Sequence, residues 1–225
     1  MEHHVDGPSS DIRVALIGMG ALGCALLPRL VRMPFSLITL VDGDRVEHKN
    51  IDRQHLYAAV DVGHPKVEVA YAWVRNAPVP VEIATVDAFF DANNADDIVS
   101  MHDLVVDATD DAHARQLIDR TCASFDVPLL SGAVHGREGQ VIALHMEGAR
   151  KDLLLRDLFG GKPGAEQDGC DMRHVPEEVI EEVAKRMAWR IREWLNAVPL
   201  ANGRIEQYGG DTRAWISIEP PMIDR

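Results

Sequence analysis

Ile12-Arg-Val-Ala-Leu-Ile17, running into Gly18-Met-Gly20-Ala-Leu-Gly23, is a short apolar run that closes on a G-x-G-x-x-G turn, and Ala21 to Val31 beyond it has helical character. Strand, tight turn and helix in that order read as the opening of a βαβ unit. Glycines at 18, 20 and 23 remove the side chains that would keep a phosphate away from backbone N–H groups at the positive end of a helix. The same glycines suit plain close packing of helix on strand, so alone they do not establish a ligand. A second apolar run, Leu37 to Val41, ends on Asp42, nineteen positions after Gly23. A carboxylate there can accept hydrogen bonds from both hydroxyls of a ribose, in NAD as well as in ATP.

Working outward, Pro65 to Asn76 reads as a helix with Val67, Val69, Ala70 and Trp73 apolar. Val79 to Val86, Leu104 to Ala108 and Pro128 to Leu130 read as further strands, with a helix at Ala112 to Ala123. Strands alternating with helices predict the α/β class, a Rossmann-like, doubly wound, mostly parallel sheet. After Gly136 the pattern changes: Gln140 to His145 reads as a strand, and residues 148–174 form a long Gly-rich, charged connection. Pro176 then opens a helix on which Val179, Ile180, Val183, Met187 and Ile191 share one face. Arg204 to Tyr208 and Ala214 to Glu219, separated by Gly209-Gly-Asp211, predict additional antiparallel strands at the C-terminal end.

Composition narrows the function class. Hydrophobic residues make up 46% and charged residues 26%, the balance of a soluble protein, and no apolar run is long enough to span a bilayer, so no membrane partner is expected. The first eleven residues have neither a basic n-region nor an apolar h-region, which gives a cytoplasmic expectation. A formal charge of −13 disfavours a nucleic-acid surface, because phosphate backbones are met by basic stripes. It would also repel ATP at long range, but screening acts beyond roughly 8 Å, so local Arg and Lys outweigh it. Cys24, Cys122 and Cys170 form no C-x-x-C pair, which argues against a disulfide framework and a four-thiolate zinc site. The histidines, among them His135, His145 and His174, show no metal-ligand spacing.

The stretch after Asp42 separates ATP from NAD: Asp42-Gly-Asp44-Arg-Val-Glu-His-Lys-Asn50-Ile-Asp-Arg53-Gln54, then Gly63-His-Pro-Lys66. Hydride transfer has no use for Asn, Arg, Gln and Lys just past a ribose carboxylate, whereas ATP cleavage needs amides and cations along its phosphates. The stretch resembles the D-x-D-x-V-x-x-x-N-x-x-R-Q…G-x-x-K pattern of the ThiF/MoeB/HesA family, the adenylyltransferases related to ubiquitin-activating enzymes. The resemblance continues through Asp107-Ala-Thr-Asp110-Asp111 and Ser131-Gly-Ala-Val-His-Gly-Arg-Glu-Gly139, and covers most of residues 12–145.

The resemblance implies that Asp42 holds the ribose of ATP, that Asn50, Arg53, Gln54 and Lys66 line the phosphates beside Gly18, Gly20 and Gly23, and that Asp110 holds Mg²⁺. A substrate carboxylate then attacks the α-phosphorus, giving an acyl-adenylate and pyrophosphate. Read without the family, Arg53 and Lys66 are equally exposed helix-loop charges, and Asp110 is the N-cap of the helix beginning near Ala112. Leu158-Phe-Gly160…Cys170 resembles the crossover segment that carries a reactive cysteine, which implies a thioester or persulfide intermediate on Cys170, with Arg173, His174 and the following helix start as activators. An unreactive loop thiol is the competing reading. Cys24 and Cys122 read as core residues, and Arg137 with Glu138 as a surface ion pair or the rim of the substrate mouth.

The expected organisation is a disordered lead over residues 1–11 and a single adenylation domain over 12–225. Within it are a nucleotide-binding core (12–145), a crossover loop (146–175) and a C-terminal helix and strand pair (176–225). The chain resembles a short, zinc-less member: Lys151 and Leu154 stand where relatives carry the first C-x-x-C pair, so structural zinc is not expected. Relatives also carry an early arginine that reaches into the neighbouring subunit, and Arg13 alone stands early here; the family still implies a homodimer. The implied substrate is the C-terminal glycine of a ubiquitin-fold sulfur-carrier protein. A small-molecule or peptide carboxylate is the alternative; an NAD-dependent oxidoreductase or a non-catalytic nucleotide-binding scaffold are the alternatives of another class.

Overall fold

The computed structural model describes residues 11–77, 79–159 and 175–220. Five parallel strands, β1 (Arg13–Ile17), β2 (Leu37–Val41), β3 (Glu82–Val86), β4 (Leu104–Asp107) and β5 (Leu129–His135), continue into the antiparallel β6 (Glu138–Leu144), β7 (Ile205–Gly209) and β8 (Ala214–Ile218). The spatial order is β3-β2-β1-β4-β5-β6-β7-β8, so the chain reverses direction across the sheet between β1 and β4. The helices are α1 (Ala21–Leu30), α2 (Lys66–Arg75), α3 (Ala95–Ser100), α4 (Ala112–Phe125), α5 (Leu155–Leu158) and α6 (Glu177–Leu195).

The two faces of the sheet are sorted by the alternation of strand side chains. Val14, Leu16, Ile38, Leu40 and Val106 point to one core, filled from above by α1, α2 and α6. Ala15, Ile17, Val105 and Leu129 point to the other, covered by α3, α4 and α5. Burial on both faces is why the central strands are continuous apolar runs. Over β5 and β6, α6 sits against two glycines: a Cβ on Gly132 would overlap Met187, and one on Gly139 would overlap Val183. The far end of α6 is fastened by Glu206 of β7, which is buried and accepts from Arg186 at 3.0 Å and from Arg190 at 2.6 Å.

Several elements differ from the sequence expectation. The strand expected at Pro128 to Leu130 begins at Leu129, runs on to His135 and forms a hairpin with β6, register His135↔Glu138, with α6 packed on the sheet at Gly132 and Gly139. The crossover from β3 to β4 contains α3, which has only Ile98 and Val99 as large apolar residues and so shows no helical periodicity. The expected strand from Val79 begins only at Glu82, where pairing with Leu37 starts. Within 146–175, a loop in expectation, Leu155–Leu158 is a single helical turn. Cys170, Arg173 and His174 lie outside the described residues. No described helix is long and apolar enough to cross a membrane.

Candidate functional site

In a doubly wound sheet, ligands bind beyond the C-terminal ends of the strands at the point where the order reverses. Here that point lies between β1 and β4, and the turns leaving β1, β2 and β4 carry Gly18, Asp42 and Asp110. Gly18 has φ +95°, a conformation that glycine adopts without penalty, and a Cβ on it would stand 2.8 Å from the Ala108 carbonyl carbon and oxygen and 3.0 Å from the Thr109 nitrogen. The first turn therefore rests directly on the turn after β4. Gly20 is the N-cap of α1 and supplies no side-chain cap, so the first N–H groups of the helix have no partner from the cap. A Cβ on Gly20 would meet nothing within 4 Å, whereas one on Gly23 would overlap the Gly18 carbonyl oxygen. Gly20 thus opens the turn to an incoming group, and Gly18 and Gly23 let its walls close.

Asp42 fastens this turn to the segment after β2. Its Oδ2 accepts from the Met19 amide at 2.6 Å and its Oδ1 from the Asp44 amide at 2.7 Å. Burial pushes the Asp42 carboxyl up from its ordinary value, while Lys66 and the two backbone donors pull it back. Lys66, first residue of α2, has only 6% of its side chain exposed and its Nζ lies 2.7 Å from Asp44 Oδ2. The reading of Lys66 as an exposed charge is therefore overturned: it is a nearly buried ammonium beside the glycine turn. Behind the turn, Tyr57 donates to the Met19 carbonyl at 2.9 Å, and burial pushes the Cys24 thiol up to about 12, so Cys24 is a packed core residue with no thiolate character. Cys122 is likewise fully buried.

Between β2 and α2, Asn50 closes a short 3₁₀ turn, His48–Asn50, by accepting from the Glu47 amide at 2.9 Å. Arg53 lines a cavity of about 320 Å³ along α1, with Cys24, Arg29, Leu56, Trp73 and Ile180 among the other walls. Gln54 Oε1 is buried and has no hydrogen-bond partner among the described residues. An unsatisfied buried acceptor costs about 1–3 kcal/mol, so this atom calls for a donor from elsewhere.

The turn after β4 removes the capping reading of Asp110. Asp111, not Asp110, is the N-cap of α4, its Oδ1 accepting from the His113 and Ala114 amides at 2.7 and 2.9 Å. Asp110 is exposed, with no hydrogen bond or ion pair to another described residue. Beneath it, Asp107 is wholly buried and receives four donors: Thr109 N at 2.9 Å and Oγ1 at 2.7 Å, Arg115 Nε at 2.9 Å and Ser131 Oγ at 2.6 Å. Arg115 is a residue that sequence reasoning missed; eight positions from Asp107 on a different element, it carries no local signal. The remaining candidates are peripheral: Arg137 pairs with Asp211, and Glu138 accepts from Gln207 at 3.1 Å. His145 is buried against Asp119 at 2.9 Å.

The fold is shared with two solved structures, PaaA (TM-score 0.72, 19% identity) and MccB of E. coli, crystallised with succinimide (TM-score 0.73, 15% identity). Each match covers 93% of this chain, and 64% and 63% of the respective solved chains. Among curated proteins, the chain is 36% identical over 136 residues to the SAMP-activating enzyme E1 of Haloferax volcanii, covering 60% of this chain and 50% of that protein. It is 35% identical over 151 residues to the molybdopterin-synthase adenylyltransferase of Escherichia coli, 67% of this chain and 61% of the relative. It is 35% identical over 132 residues to the sulfur carrier protein adenylyltransferase of Thermus thermophilus, 59% of this chain and 49% of the relative. The aligned part is thus about half to three fifths of each relative's length. A model of the ThiF family matches residues 9–218, from before β1 to the last residue of β8, and the chain therefore belongs to the ThiF family.

Proposed function

We propose that this protein adenylates a carboxylate at the expense of ATP, the substrate being the C-terminal glycine of a ubiquitin-fold sulfur carrier, with pyrophosphate as leaving group. The observation that carries the reading is the C-terminal edge of the sheet at the β1/β4 switch point, where the turns after β1, β2 and β4 carry an uncapped glycine turn, a partly buried carboxylate flanked by a nearly buried lysine, and an Asp110 without a described partner. The relatives' names support it, since they are adenylyltransferases or activating enzymes, one of them for a sulfur carrier protein. In this reading Asp42 receives the ribose, and the first-turn N–H groups of α1, with Asn50, Arg53, Gln54 and Lys66, serve the phosphates.

Mg²⁺ fits the donors present. It is held through one or two carboxylates plus phosphate oxygens and water, and Asp110, exposed and without a described partner, would be the carboxylate that holds it. When bound, Mg²⁺ supplies charge neutralisation on the phosphates. The protein's own residues do the positioning: the carboxylate nucleophile and the α-phosphorus are held in line, and no protein nucleophile takes part in adenylation. In a covalent later transfer, the Cys170 thiolate attacks the acyl carbon of the acyl-adenylate, forming a thioester and releasing AMP; the proposed assembly is a homodimer in the cytoplasm.

The test is ATP–pyrophosphate exchange with candidate sulfur carriers and with small or peptide carboxylates, in the parent and in Asp110→Ala. Exchange that requires a carrier's C-terminal glycine and is lost in the variant supports the reading. Exchange with small carboxylates alone replaces the substrate, and binding of NADH without Mg·ATP removes the reading altogether.

A further inference from the structure

Asp107 and Arg115 form an ion pair, with Asp107 fully and Arg115 mostly buried, that lies outside the residues assigned to the nucleotide, and its hydrogen bonds tie the turn that carries Asp110 to β5. Asp107 is 0% exposed, yet its carboxylate is fully committed: Oδ1 to the amide and hydroxyl of Thr109, Oδ2 to Arg115 Nε and Ser131 Oγ. Arg115 sends its Nη2 to the Thr109 carbonyl, and to the Gly132 carbonyl at 3.2 Å. Thr109 is thus gripped at its amide, its hydroxyl and its carbonyl by the two partners of one pair. On the far side, Asp111 is fixed by capping α4. On the near side, Gly18 leaves no room between its own turn and Ala108–Thr109. Asp110 is the one carboxylate of Asp107, Asp110 and Asp111 with no described partner, and its neighbours on both sides are held by hydrogen bonds.

A burial of this kind is not explained by stability. With Asp107 fully buried and Arg115 one-fifth exposed, such a pair gains little over apolar residues of the same volume, so four donors around one carboxylate at a turn call for a geometric role. We infer that Arg115 is a positioning residue: through Asp107 and the Thr109 carbonyl it fixes the direction in which Asp110 presents its carboxylate to a divalent cation carried by the nucleotide. This rests on the adenylation reading. Direct partners of metal ligands characteristically set metal affinity about 10- to 100-fold, and Arg115 acts one step further out, through the backbone of Thr109.

The experiment is a Mn²⁺ titration followed by electron paramagnetic resonance in the presence of ATP, on the full chain, in the parent, Arg115→Gln, Arg115→Lys and Ser131→Ala, with metal-free ATP affinity measured by calorimetry. The expected result for Arg115→Gln is a loss of about 10-fold or more in Mn²⁺ affinity, with metal-free ATP binding within about twofold of the parent. Arg115→Lys restores part of the affinity. Ser131→Ala removes one donor from the same carboxylate, leaves Arg115 in place, and shifts Mn²⁺ affinity in the same direction by less; it carries the test should Arg115→Gln not fold. Unchanged Mn²⁺ affinity in the folded variants, or a parallel fall of metal and metal-free ATP binding, overturns the inference while leaving adenylation intact. A parent that binds neither ATP nor Mn²⁺·ATP overturns both.

Discussion

Lys66 Nζ lies 2.7 Å from a carboxylate oxygen of Asp44, and while half of the aspartate is exposed, almost none of the lysine is. The pair is therefore lopsided: solvent can replace Lys66 for Asp44, but nothing described replaces the cation for the partly buried Asp42 beside it. Lys66→Met should raise the Asp42 carboxyl further and remove the ammonium next to the glycine turn. The expected outcome is a fall in pyrophosphate exchange of about 100-fold, the size of losing one preorganised charge-stabilising group. Because Asp44 is half solvated, the accompanying loss of stability in urea unfolding is expected at about 1 kcal/mol. A variant with parental exchange rates would remove Lys66 from the phosphates.

Two glycines of one turn should fail in different ways. Gly23→Ala drives a methyl into the Gly18 carbonyl oxygen, backbone that cannot retreat, and is expected to cost about 1–3 kcal/mol in stability. Gly20→Ala meets open space at an extended backbone and should melt within a few degrees of the parent, yet its methyl stands over the uncapped N–H groups of α1. Weaker ATP binding by calorimetry in folded Gly20→Ala is the expected outcome; equal binding would place the phosphates elsewhere.

Adjacent aspartates should likewise separate. Asp111→Ala loses the cap of α4, with an expected cost of about 1 kcal/mol, and keeps its metal-dependent exchange. Asp110→Ala, with no described partner to lose, should be neutral in stability within about 0.5 kcal/mol and lose exchange. The reverse assignment in thermal melts and exchange assays would show that the metal carboxylate is Asp111.

His102 gives the fold a pH dependence of its own. Its Nδ1 donates to the Ile98 carbonyl at 2.6 Å, its Nε2 accepts from Thr39 at 2.7 Å, and burial lowers its pKa, with Arg13 adding to the effect and Ile98 and Asp103 opposing it. The unfolded chain then takes the proton first. Above the ordinary value of 6.5 the group makes no difference; as pH falls through 6.5 stability declines, until the lower folded value is reached. The slope from this group is at most about 1.4 kcal/mol per pH unit. Urea unfolding at pH 7.5 and 5.5 should show a smaller pH-induced loss in His102→Gln than in the parent.

The β1–α1–β2 unit and the terminal hairpin were legible because their patterns are local: an apolar run ending on glycines, two strand-like runs around Gly209-Gly210. The rest depends on contacts between distant segments. The strand expectation stops at Leu130, short of Gly132 on which α6 lies, and Asp110 and Asp111 are indistinguishable until the helix that follows shows which one caps it. In the same way Lys66 is an ordinary helix-start lysine in sequence, and only the bridge between Arg45 and Pro65 that folds the segment back puts it against Asp44. Arg115 was invisible for the same reason: its partners come from β4 and β5.

The contact of Gly18 on Ala108 and Thr109 has a bearing on how the cleft can move. With backbone touching backbone, the loops after β1 and β4 must travel as a single rigid floor, and any opening or closing over a nucleotide has to be hinged in other segments. Relaxation measurements on the amides of Gly18 and Thr109 should therefore find them equally quiet before and after ATP is added.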